Sequence, residues 1–244
     1  GLRNISKSFG MTRALSDMSL SLFPGEVHAV VGENGAGKST MIKIMTGVHQ
    51  PSSGSLEVDG VALRLSGPKD ARQAGIAAIY QEPMVFPDLD VAENIFISAT
   101  GLGLVQNRAA LRSRARSLID RIGMTLDVDR IAAGLTLAEQ QAVEIARALS
   151  QDVRVLIMDE PTASLSDHEA TQLRQIARTL AGQGVAVVYI SHRLEEIFDV
   201  ADRVTVIRDG QHISTRPVAE VTPDGMIGEM VGREVGNYFT KAPS

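Results

Sequence analysis

A chain of 244 residues, 44% hydrophobic and 22% charged, is long enough to bury one large core or two modest lobes, and its composition is that of a soluble globular protein. Its net charge of −5 offers no broad attraction to nucleic acid or an anionic membrane, no apolar run has the length to span a bilayer, and the N-terminus has no signal-peptide pattern. Cysteine is absent, which excludes disulfides and thiolate metal sites and fits a reducing compartment.

The chain opens without a Met, at Gly1 to Ile5, already inside a strand pattern, as a trimmed chain would. Leu15 to Leu22 alternates apolar and polar residues toward its end, as a half-solvated antiparallel strand does. Phe23-Pro24-Gly25 then turns into a buried strand over Glu26 to Val31. Next comes Gly32-Glu33-Asn34-Gly35-Ala36-Gly37-Lys38-Ser39-Thr40, followed by an apolar helical stripe at Met41, Ile42, Ile44 and Met45. Strand, glycines, Lys, hydroxyl residue and helix together make a phosphate-binding loop. Glycines let successive backbone N–H groups curl around phosphate oxygens, and the helix N-terminus adds partial positive charge. Lys38 would supply a point charge for the outer phosphates and Ser39 a hydroxyl for Mg²⁺. A glycine-rich turn without a ligand is the alternative, and it leaves the agreement of these features unexplained.

Gln50 to Gly54 is a turn cluster and Ser55 to Val58 a further strand, so an antiparallel layer is expected beside the nucleotide-binding core. Pro68 to Ala74 reads as a short helix closed by Gly75, and Ile76 to Tyr80 as a strand broken by Gln81-Glu82-Pro83. Val91 to Ser150 reads as mostly helical. Its Arg108, Arg112, Arg114 and Arg116 form a polar stripe, taken as a solvated face beside Asp120 in preference to a nucleic-acid site. Val153 to Met158 and Val185 to Ile190 are largely apolar, as strands covered on both faces are, with a crossover helix marked by Leu173, Ile176 and Leu180 between them. Asp159 and Glu160 end the first of these strands. Beside a phosphate loop, such carboxylates can orient Mg²⁺ waters, for Asp159, and polarise an attacking water, for Glu160; a solvated acidic pair before Pro161 is the alternative.

Gln81 after an apolar strand, Asp159-Glu160-Pro161-Thr162, and His192 in Tyr189-Ile190-Ser191-His192-Arg193 resemble the Q-loop, Walker B and switch-histidine elements of ATP-binding cassette (ABC) ATPases, in order and over nearly the whole chain. The resemblance implies an α/β P-loop NTPase fold in one domain over residues 1–244. A RecA-like core with an antiparallel β layer would occupy 1–82 and 151–244, and an inserted helical signature subdomain 83–150. It implies ATP and Mg²⁺ as cofactors, with Gly32, Glu33, Asn34, Gly35, Ala36, Gly37, Lys38, Ser39 and Thr40 around the phosphates and Ser39, Gln81 and Asp159 around the metal. Glu160, His192, Gln81 and Lys38 would carry the chemistry, His192 at the γ-phosphate and Gln81 also sensing a transport partner. Phe9 falls where the family stacks an aromatic on adenine, with a core position as the alternative.

Leu135-Thr136-Leu137-Ala138-Glu139 falls at the family's signature, which acts in trans on a partner's nucleotide. Leu137 and Ala138 stand where two glycines are usual, and each Cβ works against close approach of a phosphate. The D-loop also departs, since Asp167 comes one residue late after Ala163-Ser164-Leu165-Ser166. These features, with Gly32 to Lys38 and Ile190 to Phe198, resemble the first cassette of bacterial monosaccharide importers of the ribose and galactose type, where two cassettes share one longer chain. Met230-Val231-Gly232-Arg233-Glu234 resembles the junction to the second. The resemblance implies a second ABC ATPase domain fused C-terminally, transmembrane permease subunits, indirectly a periplasmic or extracellular sugar-binding protein, and no nucleic acid. The place implied is peripheral, on the cytoplasmic face of the membrane. Met84, Val85, Phe86, Pro87 and Leu89 offer an apolar patch for a membrane-subunit helix, with lobe packing as the alternative. Two non-transport ABC classes share the core. A DNA-maintenance ATPase would add coiled-coil arms that are not seen in this chain, and a ribosome-associated translation factor would need a nucleic-acid-facing surface.

Overall fold

The computed structural model describes residues 1–97 and 108–232. In chain order the strands and helices are β1 (Leu2–Phe9), β2 (Thr12–Leu20), β3 (Val27–Val31), α1 (Lys38–Met45), β4 (Ser53–Val58), β5 (Val61–Leu63), α2 (Pro68–Gln73), β6 (Ile76–Ile79), α3 (Val91–Phe96) and α4 (Arg108–Arg121). They continue with α5 (Leu137–Leu149), β7 (Val155–Asp159), α6 (Asp167–Gly182), β8 (Ala186–Ile190), α7 (Leu194–Val200), β9 (Arg203–Arg208), β10 (Gln211–Pro217) and α8 (Pro223–Val231). Arg233 and Glu234 of the expected junction lie outside the described residues, as does the 98–107 part of the expected helical stretch.

The described strands form two sheets, one antiparallel in the order β2-β1-β4-β5 and one in the order β10-β9-β3-β8-β7-β6. In the second, β9, β3, β8, β7 and β6 are parallel and β10 is added antiparallel at the edge. Parallel strands are covered on both faces, so alternate residues serve two cores. Val27, Ala29, Val31, Leu156, Met158, Val187 and Tyr189 face a core built with α5, α6 and α7. Val30, Ile157, Val188, Ile190 and Ile207 face the other, where α1 brings Met41, Ile42, Ile44 and Met45 against Leu2, Ile5, Leu15, Met18 and Leu56 of the antiparallel sheet. The phosphate-loop helix is thus packed between the two sheets.

Two hairpins escaped the sequence reading. Asp59-Gly60 joins β4 to β5 and Asp209-Gly210 joins β9 to β10, with φ of 52° and 77° in the first and 51° and 74° in the second. Positive φ at both central residues is the two-residue turn that Asp-Gly favours, because its twist matches that of the flanking strands. Arg108, Arg114 and Arg116 of α4 are exposed, the solvated face expected, and the stripe also makes contacts beyond its own helix. Arg112 reaches Asp90 and Asp129, Arg116 reaches Asp129, and Arg114 lies over the Phe96 ring at 4.9 Å. These contacts tie α4 to α3 and to the loop near residue 129.

Candidate functional site at the strand ends

Val27 to Val31 are all buried, and the chain emerges from β3 into Gly32. A Cβ on Gly32 would overlap the Ile207 carbonyl oxygen of β9, so the loop can leave the sheet there only as glycine. Gly37 has φ 106°, and a Cβ there would meet the Leu15 side chain at 2.7 Å and the Ala14 carbonyl oxygen at 2.8 Å. The loop is thus closely backed by β9 at Gly32 and by β2 at Gly37, and also by the β9–β10 turn, whose Gly210 N–H donates to Ala36 O at 3.0 Å. α1 then opens at Gly37 with no side-chain cap, whereas α3, α5 and α6 each close their first turn with a capping box. Unclaimed N–H groups at such a terminus suit an anion.

Lys38 is buried, and its ammonium donates to the carbonyls of Gly32 at 2.7 Å and Glu33 at 3.0 Å, folding back over the loop. Burial pushes its pKa down, while the charges of Glu160 and then Asp159 push it back up. Those two carboxylates arrive from β7, where Asp159 pairs with Ile190 of β8. Burial, and next the charge of Glu160, hold the Asp159 carboxyl above the usual range, with Lys38 acting against them. Glu160 has φ 48°, and its N–H donates to Ile190 O at 2.9 Å. The other non-glycine residues with positive φ among the described residues are Asn or Asp, which tolerate that region; a glutamate held there marks local strain of the kind found at functional sites. Its Oε2 lies 3.2 Å from Nδ1 of His192, which follows β8.

The parallel register sets these groups level. Ile79 pairs with Met158, Asp159 with Ile190, and Ile190 with Val30, so Gln81, Asp159, Glu160, His192 and the phosphate loop all leave the carboxyl edge of one sheet. That edge is where open α/β sheets bind ligands. Gln81 is exposed just past β6. Ser39 is exposed and Thr40 half-buried on the first turn of α1, while Glu33, Asn34 and Gly35 form the exposed crest and Ala36 is buried. Among the described residues no cluster of three or more His, Cys, Asp or Glu could hold a metal. Ser39 hydroxyl, Asp159 carboxylate and Gln81 amide are nevertheless the oxygen donors Mg²⁺ takes alongside substrate phosphates and water. Phe9 ends β1 opposite Thr12, on the strand pair that backs Gly37; its ring is 45% exposed, with His49 edge-on at 5.2 Å and the Lys7 ammonium at 5.0 Å. It is not a core residue.

Leu135 to Glu139 stand apart from this group. Thr136 is the N-cap of α5, and Glu139 closes a capping box, accepting the Thr136 N–H at 2.7 Å through Oε2 and pairing with Arg130 at 2.7 Å through Oε1. Leu135 and Ala138 are buried and Leu137 half-buried. α5 is tied to the turn that follows Glu160 by Gln141, whose amide donates to Pro161 O at 2.6 Å. Sequence reasoning missed that glutamine, the β9–β10 turn behind the loop, and Glu196, which gathers hydrogen bonds from Thr162, Tyr189, Ser191 and Arg193. The Asp-Gly pair was a readable sign of the turn; no local sign separates Glu196 from its neighbour Glu195.

The sequence profile described as ABC transporter matches residues 15–163. Ribose import ATP-binding proteins of Rhodococcus jostii and Streptomyces coelicolor are 52% and 54% identical over 243 residues, 98% of this chain and 48% of each of those proteins. A putative ribose/galactose/methyl galactoside import ATP-binding protein of Agrobacterium fabrum is 46% identical over 245 residues, 100% of this chain and 49% of that one. The chain therefore spans about half the length of the curated relatives it matches. Among solved structures, the ATP-binding cassette MJ1267 of an ABC transporter superposes with a TM-score of 0.83 at 26% identity, over 95% of this chain and 96% of that one. cbiO1 of Clostridium perfringens, part of an ABC transporter complex, does so with 0.82 at 24% identity, over 95% and 93%.

Proposed function

The chain belongs to the ABC transporter family, and from that premise we propose that it is an ATP-binding and ATP-hydrolysing cassette that powers sugar import. The observation that carries the reading is the meeting of Lys38, Asp159, Glu160 and His192 at the carboxyl ends of parallel strands, with a desolvated ammonium on the phosphate loop and a Glu160–His192 pair beside it. Gly32 to Thr40 would hold the phosphates, and Ser39, Asp159 and Gln81 a Mg²⁺ ion, which would neutralise charge on the outer phosphate oxygens. Lys38 would exchange its loop carbonyls for phosphate oxygens. Glu160, held by strained backbone, would orient and polarise water in line with the γ-phosphate, and His192 would bear on the developing negative charge. Phe9 would stack on the base.

The proposed assembly follows the relatives. A ribose import ATP-binding protein about twice as long, similar to this chain over nearly all of it, supports a second cassette in the same protein. Membrane permease subunits and a sugar-binding protein outside the membrane would complete the importer, with this cassette peripheral on the cytoplasmic face; among the described residues no helix is long and apolar enough to cross a membrane. The division into a core over 1–82 and 151–244 and a helical subdomain over 83–150 belongs to the same proposal. Import names among the relatives support transport over the two non-transport classes. Met84 and Phe86, 71% and 52% exposed, leave the loop after Gln81 open to a permease helix.

The test uses the full-length protein reconstituted with its permease in vesicles. ATP hydrolysis and sugar uptake should both stop with Glu160→Gln while ATP binding persists. Uptake that continues without hydrolysis would overturn the reading. The cassette alone should bind ATP and hydrolyse it slowly, since the signature acts in trans; rapid turnover by a proven monomer, independent of its concentration, would count against shared sites.

A further inference from the structure

Glu196 sits on the first turn of α7, four residues past His192, and only 4% of it is exposed. A buried carboxylate persists only where donors surround it, because its charge has left water. Here they do. Oε1 accepts from Thr162 Oγ1 at 2.8 Å and from Arg193 Nη1 at 3.1 Å. Oε2 accepts from Thr162 Oγ1 at 2.7 Å, Ser191 Oγ at 3.0 Å and Tyr189 OH at 3.1 Å. Thr162 has one proton, so its hydroxyl is shared between the two oxygens. Ser191 Oγ in turn accepts the Arg193 N–H at 3.0 Å, which closes a loop of bonds around the backbone of residue 192. Burial, and next the Glu196 charge, push the Tyr189 pKa up, so its phenol stays a donor.

The donors are not scattered. Thr162 lies two residues after Glu160, Ser191 and Arg193 are the two neighbours of His192, and Tyr189 lies in the strand beneath. One carboxylate therefore holds the chain leaving Glu160 and both sides of His192, from behind, without being part of their 3.2 Å pair. We propose that Glu196 is a positioning residue for hydrolysis: by tying Thr162 to Ser191 and Arg193 it sets the separation of Glu160 and His192. The proposal rests on the ATPase reading given above.

A network of this kind could also serve stability alone, and a double-mutant cycle separates the two roles. In the full-length protein, single-turnover ATP hydrolysis, ATP affinity and thermal unfolding are measured for Glu196→Gln, His192→Ala and the double variant. Glutamine keeps the size but points an N–H₂ at donors and loses the charge facing Arg193. The expected result is a fall in hydrolysis rate of about tenfold or more, with ATP affinity within about threefold of the parent. In the His192→Ala background the same change should cost less than about twofold, because the positioned partner is already gone. A rate loss of equal size in both backgrounds, or none, overturns the proposal and leaves Glu196 a stability residue. Should Glu196→Gln not fold, Thr162→Val in the same cycle cuts the Glu160 side of the tie and is read in the same way. Loss of the ATPase reading itself would show differently: the unaltered protein would not hydrolyse ATP, or Glu160→Gln would leave its rate unchanged.

Discussion

Nδ1 of His192 lies 3.2 Å from Oε2 of Glu160, across the ends of two neighbouring parallel strands. The two side chains differ in access: the histidine is 60% exposed and the glutamate 26%. The glutamate thus sits toward the sheet and the imidazole toward solvent, where a ligand would arrive. A carboxylate so placed can take a proton from water only while it keeps its charge. Glu160→Gln should therefore slow hydrolysis by roughly 10²–10⁴-fold with ATP still bound. Single-turnover kinetics beside equilibrium ATP binding check this, and unchanged turnover would move the base to another residue.

Asp159 carries a cost that substitution should reveal. Burial first, and then the neighbouring Glu160 charge, raise its pKa above the ordinary aspartate value. For a carboxyl raised in the folded state, the linked stability is fully present below the unfolded value near ~4 and is lost as pH rises through the folded value. At neutral pH the ionised group is therefore unfavourable in the nucleotide-free protein. Asp159→Asn should stabilise it by about 1 kcal/mol, raising the melting temperature by roughly 2–4 °C at pH 7.5. The gain should shrink as pH falls toward 4, and Mg²⁺-dependent ATP hydrolysis should be lost. Calorimetry at the two pH values decides; a lower melting temperature at pH 7.5 would refute the burial argument.

What could be read in the sequence follows from how local each requirement is. The phosphate loop was legible because a phosphate needs glycines, lysine and hydroxyl in one short run between a strand and a helix. Asp159 and Glu160 were legible because an apolar strand ended on them. Pairings made by helix packing were not: Arg112 and Arg116 meet Asp129 across a loop, which no local pattern marks. Glu195 and Glu196 are alike in sequence, yet one is exposed and the other buried among four donors, since only the inward side of α7 meets Thr162 and Tyr189. The capping box at Thr136 and Glu139 follows a readable local pattern, a hydroxyl residue with a glutamate three places on before an apolar helix.

In the proposed two-cassette scheme, that box would bear on the second ATP site. The Thr136 N–H is taken by Glu139, and the adjoining positions carry the side chains of Leu137 and Ala138, so in the proposed scheme this segment would offer a trans phosphate little open backbone. If this segment limits the second site, Leu137→Gly with Ala138→Gly should open it to closer approach. The change should also cost about 1–2 kcal/mol of stability, since two glycines enter the first turn of a helix. The ATP hydrolysed in a single turnover should rise from about one toward two per full-length protein, a count taken from the nucleotide stoichiometry in the proposed two-cassette scheme. A count that stays at one would mean that other groups silence that site.

Phe9 separates base recognition from phosphate recognition. Its ring is 45% exposed at the end of β1 and touches His49 and Lys7, so truncation removes part of its buried surface and Phe9→Ala should cost about 1–2 kcal/mol of stability, a loss that thermal unfolding reports separately from binding. If the ring stacks on adenine, the same change should remove about 1–3 kcal/mol of ATP binding, a loss of roughly 5- to 150-fold in affinity. Tripolyphosphate has no base to stack, so its affinity for the loop around Lys38 should stay unchanged. Parallel titrations of the two ligands on parent and variant therefore isolate the contact. Equal losses for both would mean that Phe9 acts by supporting β2, whose Ala14 and Leu15 back the loop at Gly37, and that the base is held elsewhere.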